Sequence, residues 1–215
     1  KIAVYYEIEP DAQITPKFFK DFDSLNSNKI TLSIYNQKTL EECIDLIDAA
    51  YLNVPKYSYV YENDFDIDLA IKTCVEHHVE PVLAITRVFL ENELDDIKSF
   101  INKYKDYKFA ISDVGLIEIF KEMNLINNVI YDSPIMVCNS SDLALYSSLG
   151  FSATSMSNEI PISNVINTYR ISHANMMYQV FGRKLMFYSR RKLLSLYKEH
   201  SSSSFSLENL SLREE

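Results

Sequence analysis

At 215 residues, with 47% of them hydrophobic, the chain can fill one large core or two small ones. None of its apolar runs approaches the roughly 20 residues that a membrane-spanning helix needs. A formal net charge of −9 disfavours nonspecific polyanion binding by the whole surface but leaves room for a focused basic cleft. Cys43, Cys74 and Cys138 are odd in number, far apart and without a C-x-x-C pair. That argues against a disulfide framework or a local metal knuckle and predicts a reducing, cytoplasmic setting. Gly115, Gly150 and Gly182 are the only glycines, so phosphate-cradling loops of the G-x-G-x-x-G kind are excluded.

In chain order, Lys1–Glu7 reads as a strand, and Pro10 and Pro16 bound the loop after it. Pro16 suits the first turn of a short helix to Leu25, with Thr15 as N-cap. Ile30–Tyr35 is the second predicted strand. Thr39 then caps a helix with Glu42 three residues on, turning Leu40, Cys43, Ile44 and Ile47 inward. Aromatic-rich Tyr57–Tyr61 is predicted as the third strand. A helix over Asp66–His77 opens among Asp64, Asp66 and Asp68, where a helix dipole favours carboxylates, and His77-His78 ends it.

Pro81–Thr86 is the fourth strand, followed by Arg87 and a helix from Glu91 to Tyr104. Lys108–Ser112 is the fifth, ending in Asp113 and Gly115 before a helix over Leu116–Met123. Asn128–Tyr131 and Ile135–Val137 straddle Pro134 as a broken sixth strand. Ser140 or Ser141 caps the next helix, and Gly150 closes it in a left-handed conformation. Phe151–Met156 is the seventh strand, with a helix over Ile162–Ile171.

The stretch Tyr178–Lys198 forms the eighth unit: a strand over Tyr178–Phe181, a turn at Gly182, then a helix with Leu193, Leu194 and Tyr197 at helical spacing. Arg183, Lys184, Arg190, Arg191, Lys192 and Lys198 crowd into it without one carboxylate. Short strands alternating with helices through short loops demand a parallel sheet with crossover helices. Eight such units predict an α/β fold, a compact TIM-like (β/α)8 barrel over 1–200, rather than a doubly wound open sheet. Residues 201–215 are expected to be a flexible tail or the start of a further segment.

Four motifs carry a family resemblance: G-F-S-A-T-S-M-S-N-E-I (150–160), V-F-G-R-K-L-M-F-Y-S-R-R-K-L-L (180–194), I-S-D-V-G (111–115) and V-C-N-S (137–140). Together they resemble the collagenase-like peptidases, peptidase family U-32, from about Val82 to Lys198. That family typically shows G-[hydrophobic]-x-R-x-V-L-S-R-E-L and then V-x-G-x-x-x-M-x-S-[KR]-R-x-L-L. The ending is closest to short Gram-positive-type members. The resemblance implies a TIM-like barrel and, despite the peptidase name, hydroxylation of tRNA or rRNA bases or of quinone precursors. It also implies a four-cysteine iron–sulfur site, some of whose ligands fall in and after the segment matching 182–194. That segment has no cysteine here, and three cysteines cannot make a four-cysteine cluster.

Barrel chemistry sits at the C-terminal ends of strands. The polar residues predicted there are Glu7, Thr86, Arg87, Asp113, Asn139, Ser157, Glu159 and Arg183. Converging on one mouth, they would bind an anionic small molecule or a nucleotide. The plainer role for Asp113 and Glu159 is helix capping or pairing with arginines. At the basic corner, Arg183, Arg190 and Arg191 can grip phosphate beside the stacking faces of Phe187, Tyr188 and Tyr197. The plainer role there makes Ser189 the N-cap of the last helix, with both following arginines solvated or paired.

His77 and His78 point about 100° apart on a helix and make a poor metal pair. There is no G-x-S-x-G and no cysteine beside a histidine, so no catalytic residue is assigned. The expectation is a cytoplasmic barrel that acts in or assists tRNA or rRNA base modification through a basic mouth, with no membrane contact. RNA and a second family-related subunit are the expected partners, and no cofactor is visible. The alternatives are a collagenase-like protease and a non-catalytic binding subunit.

Overall fold

The computed structural model describes residues 29–60, 64–133, 135–182, 185, 188–191 and 193–201. The chain divides into two units after Gly182. The expected strand Lys1–Glu7 with Glu7, the helix from Pro16 to Leu25, Arg183, Lys184, Phe187, Lys192 and the segment 202–215 lie outside the described residues.

In the first unit seven strands pair in parallel and in chain order. They are β1 (Thr31–Ile34), β2 (Ala49–Asn53), β3 (Glu80–Ile85), β4 (Lys108–Ile111), β5 (Val129–Tyr131), β6 (Ala153–Ser155) and β7 (Met176–Met177). Parallel neighbours need a crossover. Each is a helix: α1 (Gln37–Cys43), α2 (Ile67–Glu76), α3 (Leu94–Lys103), α4 (Gly115–Glu122), α5 (Ser140–Ser148) and α6 (Ile162–Ser172). None of the described helices is long and apolar enough to cross a membrane.

Alternation along the strands divides the core into two clusters. Ile34, Leu52, Leu83, Ile85, Phe109, Ile111 and Tyr131 pack with helix residues such as Leu40, Ile71, Ile97, Phe120, Leu143 and Val165. The intervening positions Tyr51, Val82, Ala84 and Ala110, with Ile130 and Met177, form a separate cluster on the other face. That inner face is concave. A flat sheet would put β2 and β5, three strand spacings apart, about 14 Å from one another. Yet Tyr51 of β2 hydrogen-bonds Asp132, just past β5, at 2.5 Å.

The result is a TIM-like half-barrel. The expected closed eight-stranded barrel is corrected to this extent: among the described residues β7 does not pair with β1. The expected first strand falls outside those residues.

Other differences have local causes. The third strand is Ala49–Asn53, whereas 57–60 is loop. All five residues of β2 are buried, so the strand has no polar alternation to reveal it. Tyr57 and Ser58 instead turn back to donate to the Val54 carbonyl. The sixth predicted strand stops at Tyr131, and no strand follows over 135–137. The last strand pairs Met176 with Thr154, two residues before the predicted start at Tyr178.

Two caps also move. Asn36 accepts from the Thr39 amide at 2.8 Å and replaces Thr39 as cap, and Asn139 replaces Ser140 or Ser141. With so few glycines, left-handed positions after helices fall to His78 (φ 59°), Asn124 (φ 56°) and His173 (φ 50°), besides Gly150 (φ 97°). His77 caps α2, as expected of the histidine pair.

The second unit contains α7 (Leu193–Ser201). Before it, the Ser189 hydroxyl accepts from the Arg191 amide at 3.1 Å.

Candidate functional site

Period-two alternation carries the inner face past the strand ends, through Ser33, Asn53, Thr86, Ser112, Asp132, Ser155, Ser157 and Gln179. None of these positions is basic, and Asp132 is the single acid among them. The Tyr51 phenol donates to Asp132 Oδ2 at 2.5 Å, and the Ser155 hydroxyl bonds the same side chain. The Ser112 hydroxyl donates to the Asp132 backbone carbonyl. Asn53 donates to Ser33 Oγ at 2.8 Å and to the Ile34 carbonyl at 3.0 Å, tying the ends of β1 and β2.

Electrostatics follow from this enclosure. Burial pushes the Asp132 carboxyl above the usual carboxylate range, and the bonds from Tyr51 and Ser155 offset only part of that rise. Burial, and then the neighbouring Asp132, push the Tyr51 phenol well above its ordinary value, so it stays a donor. Tyr59, in the loop after β2, is raised by the same two causes. Asp132 itself is only half-buried. The arrangement is a carboxyl of raised proton affinity, clamped by a phenol and a hydroxyl and ringed by neutral polar groups.

Several residues singled out from the sequence have other work. Arg87 Nη2 donates to Glu93 Oε1 at 2.8 Å, and its guanidinium lies over the rings of Phe89 (5.3 Å) and Tyr57 (5.9 Å). Asp113 accepts from the Phe89 amide at 2.9 Å and the Gly115 amide at 2.8 Å. These two residues therefore meet at the loop after β3, where they fix its path.

Asn139 accepts from the amides of Ser141 and Asp142, at 3.0 Å each. Glu159 is exposed, and its amide donates to Ser157 Oγ at 3.1 Å. Thr86 and Ser157 are buried, at inner-face positions. In the second unit Tyr188 and Ser189 are half-buried, and Arg190 and Arg191 are exposed. Arg183 lies outside the described residues.

The sequence reading missed Tyr51, Ser112, Asp132 and Ser155. Y-D-S at 131–133 repeats the strand-end pattern I-S-D at 111–113. Carrying the sixth strand past Pro134 put its end at Asn139 and hid that likeness.

The cysteines are dispersed. Cys43 ends α1, Cys74 is buried in α2 with its thiol pushed up to about 11 by burial, and Cys138 lies in the loop before α5. A cluster ligand must be a thiolate, so a thiol in the position of Cys74 does not suit one. No group of three His, Cys, Asp or Glu able to hold a metal ion occurs among the described residues. His77, His78 and His173 sit at helix C-termini, which lead into strand starts and so lie at the end of the sheet opposite Asp132.

Parallel β/α units in sequential order, with polar side chains gathered at the strand C-termini, define a TIM-like α/β protein. The family model for Peptidase family U32 matches residues 37–205, which is most of the chain, and the chain belongs to that family. A search of curated proteins gave no match.

Proposed function

We propose that this U32 member acts in, or assists, the modification of tRNA or rRNA bases, with the base presented to the inner strand-end face around Asp132. The observation that carries the reading is the character of that face: hydroxyls, phenols and amides around one carboxyl, Asp132, held by Tyr51 and Ser155. Such a surface suits an uncharged polar ring. Within the second unit, the exposed Arg190 and Arg191 are the cations assigned to the phosphate backbone.

Hydroxylation adds an oxygen atom and needs an oxidant. With three unpaired cysteines, this chain carries no four-cysteine cluster. Binding and proton handling are its share, and the redox step belongs to a partner such as a second family-related subunit. The chain's working place is the cytoplasm, a setting that unpaired thiols suit. The peptidase alternative is less well supported, because among the described residues of the first unit Ser112, Ser155 and Ser157 have no histidine at their end of the sheet.

Fluorescence anisotropy of labelled tRNA across a salt series tests the proposal. Affinity should fall steeply with salt, and the Arg190→Ala/Arg191→Ala double variant should flatten the log–log slope by about 1.5 to 2. Absence of binding at low salt sinks the RNA reading. Cleavage of gelatin by the same preparation would put the peptidase reading in its place.

A further inference from the structure

We infer that Asp132 is the proton-carrying residue of the inner face, that Tyr51 and Ser155 are its positioning residues, and that the group it serves is an uncharged ring or amide rather than a phosphate or a carboxylate. The inference rests on the proposed function and deepens it by naming the working residue and the charge class of what it meets.

The geometry carries it. Asp132 leaves the end of β5, and the two groups that hold its side chain come from opposite sides, Tyr51 from β2 and Ser155 from β6. Ser112, at the end of β4, fixes the backbone of the same residue. Three elements thus converge on one half-buried residue, two of them on its carboxyl. Such convergence sets its orientation yet leaves part of it open to a ligand.

Among the described residues, the groups that act on its side chain are neutral: Tyr51 from β2, Tyr59 from the loop after it and Ser155 from β6. Asp113, just past the neighbouring strand β4, is turned to the amides of Phe89 and Gly115. Arg87, just past the end of β3, is held by Glu93. Among the described residues of the first unit, an anion placed against Asp132 would therefore meet a carboxyl and no free strand-end cation, an arrangement that desolvation makes costly. A neutral ring or amide carries both a donor and an acceptor. A carboxyl able to hold or release a proton matches such an edge in either state. Burial supports the assignment by favouring the protonated form.

The test is the titration of the Asp132 carboxyl by 13C NMR of protein labelled at the aspartate side-chain carboxyl, with Asp132→Asn identifying its signal. The midpoint should lie above the ordinary aspartate range. Removing one donor should move it up again, by about one unit, in Tyr51→Phe and in the second variant Ser155→Ala. A midpoint near 4 in the wild type, or one that neither variant moves, overturns the assignment. Addition of free nucleosides should shift the Asp132 signal, and inorganic phosphate should not. A shift with phosphate, or with neither probe, overturns the ligand class. Loss of tRNA binding would sink the RNA reading and leave the titration as it is, so the two failures are distinguishable.

Discussion

Replacing Tyr51 with phenylalanine removes one oxygen from the inner face and leaves the ring, so no cavity opens and the change isolates a hydrogen bond. That bond joins a buried phenol to Asp132 Oδ2 at 2.5 Å. A hydrogen bond to a charged group contributes about 1.5–3 kcal/mol, and one between neutral groups about 0.5–1.5 kcal/mol. The cost of the substitution should therefore depend on whether Asp132 is ionised. The Tyr51 bond favours the ionised form, so removing it raises the proton affinity of Asp132 further.

Both proteins hold the proton in acid, and there the loss is the smaller figure. As pH rises through the raised Asp132 range, the wild type ionises against a donor that the variant lacks, and the gap widens by about 1 kcal/mol. Urea unfolding of both proteins from about pH 4 to about pH 8, with m-values compared to confirm equal exposure, measures it. A cost that stays constant across that range would refute the reasoning, because the phenol would then be bonding a group that does not titrate.

Asp132→Asn should act in the opposite sense on stability. A carboxyl whose folded-state proton affinity is raised makes the fold less stable above its titration range, since ionising it inside the protein costs more than in the unfolded chain. Thermal melts should thus show the Asn variant ahead of the wild type near neutral pH, with the gap closing in acid; a variant that melts lower at neutral pH is the contrary result. At the opposite end of the sheet, Glu80 accepts from Lys29 at 2.9 Å and Lys108 at 2.6 Å. Burial alone would raise the Glu80 carboxyl, but the bonds from Lys108 and Lys29 carry it below its ordinary value. Its contribution is present above the usual glutamate range and lost as pH falls through the lowered one. Because all three side chains are about a third exposed or more, Glu80→Gln should cost only about 0.5–1 kcal/mol in denaturant unfolding, and less at high salt. A cost that salt leaves untouched would count against the ion-pair account.

Much of the architecture is legible in the sequence because capping and periodicity act locally. Asp66 accepts from the Leu69 amide at 3.1 Å, at the start expected for α2, and Gly150 takes its left-handed turn after α5. What escapes depends on the sheet as a whole. Ala49–Asn53 is buried on both faces, so its pattern resembles that of a helix end, while the aromatic run at 57–60 resembles a strand but lies in the loop after β2. The site escapes for a related reason. Tyr51 and Asp132 are separated by 81 residues and meet only because the sheet is curled, which local spacing does not encode. Conversely, Arg87 and Asp113 stand at the ends of the right strands, but odd-numbered positions there turn away from the inner face. Their partners, Glu93 and the amides of Phe89 and Gly115, hold a loop together.

The central claim is that Asp132 and its clamp serve the modification of an RNA base. The most direct measurement is mass spectrometry of tRNA and rRNA nucleosides from cells lacking this chain, complemented with the wild type, Asp132→Asn or Asp113→Asn. The account predicts that one modified nucleoside disappears with the chain, returns with the wild type, returns at least in part with Asp113→Asn, and stays missing with Asp132→Asn. An unchanged nucleoside profile in the absence of the chain, or full restoration by Asp132→Asn, would contradict it.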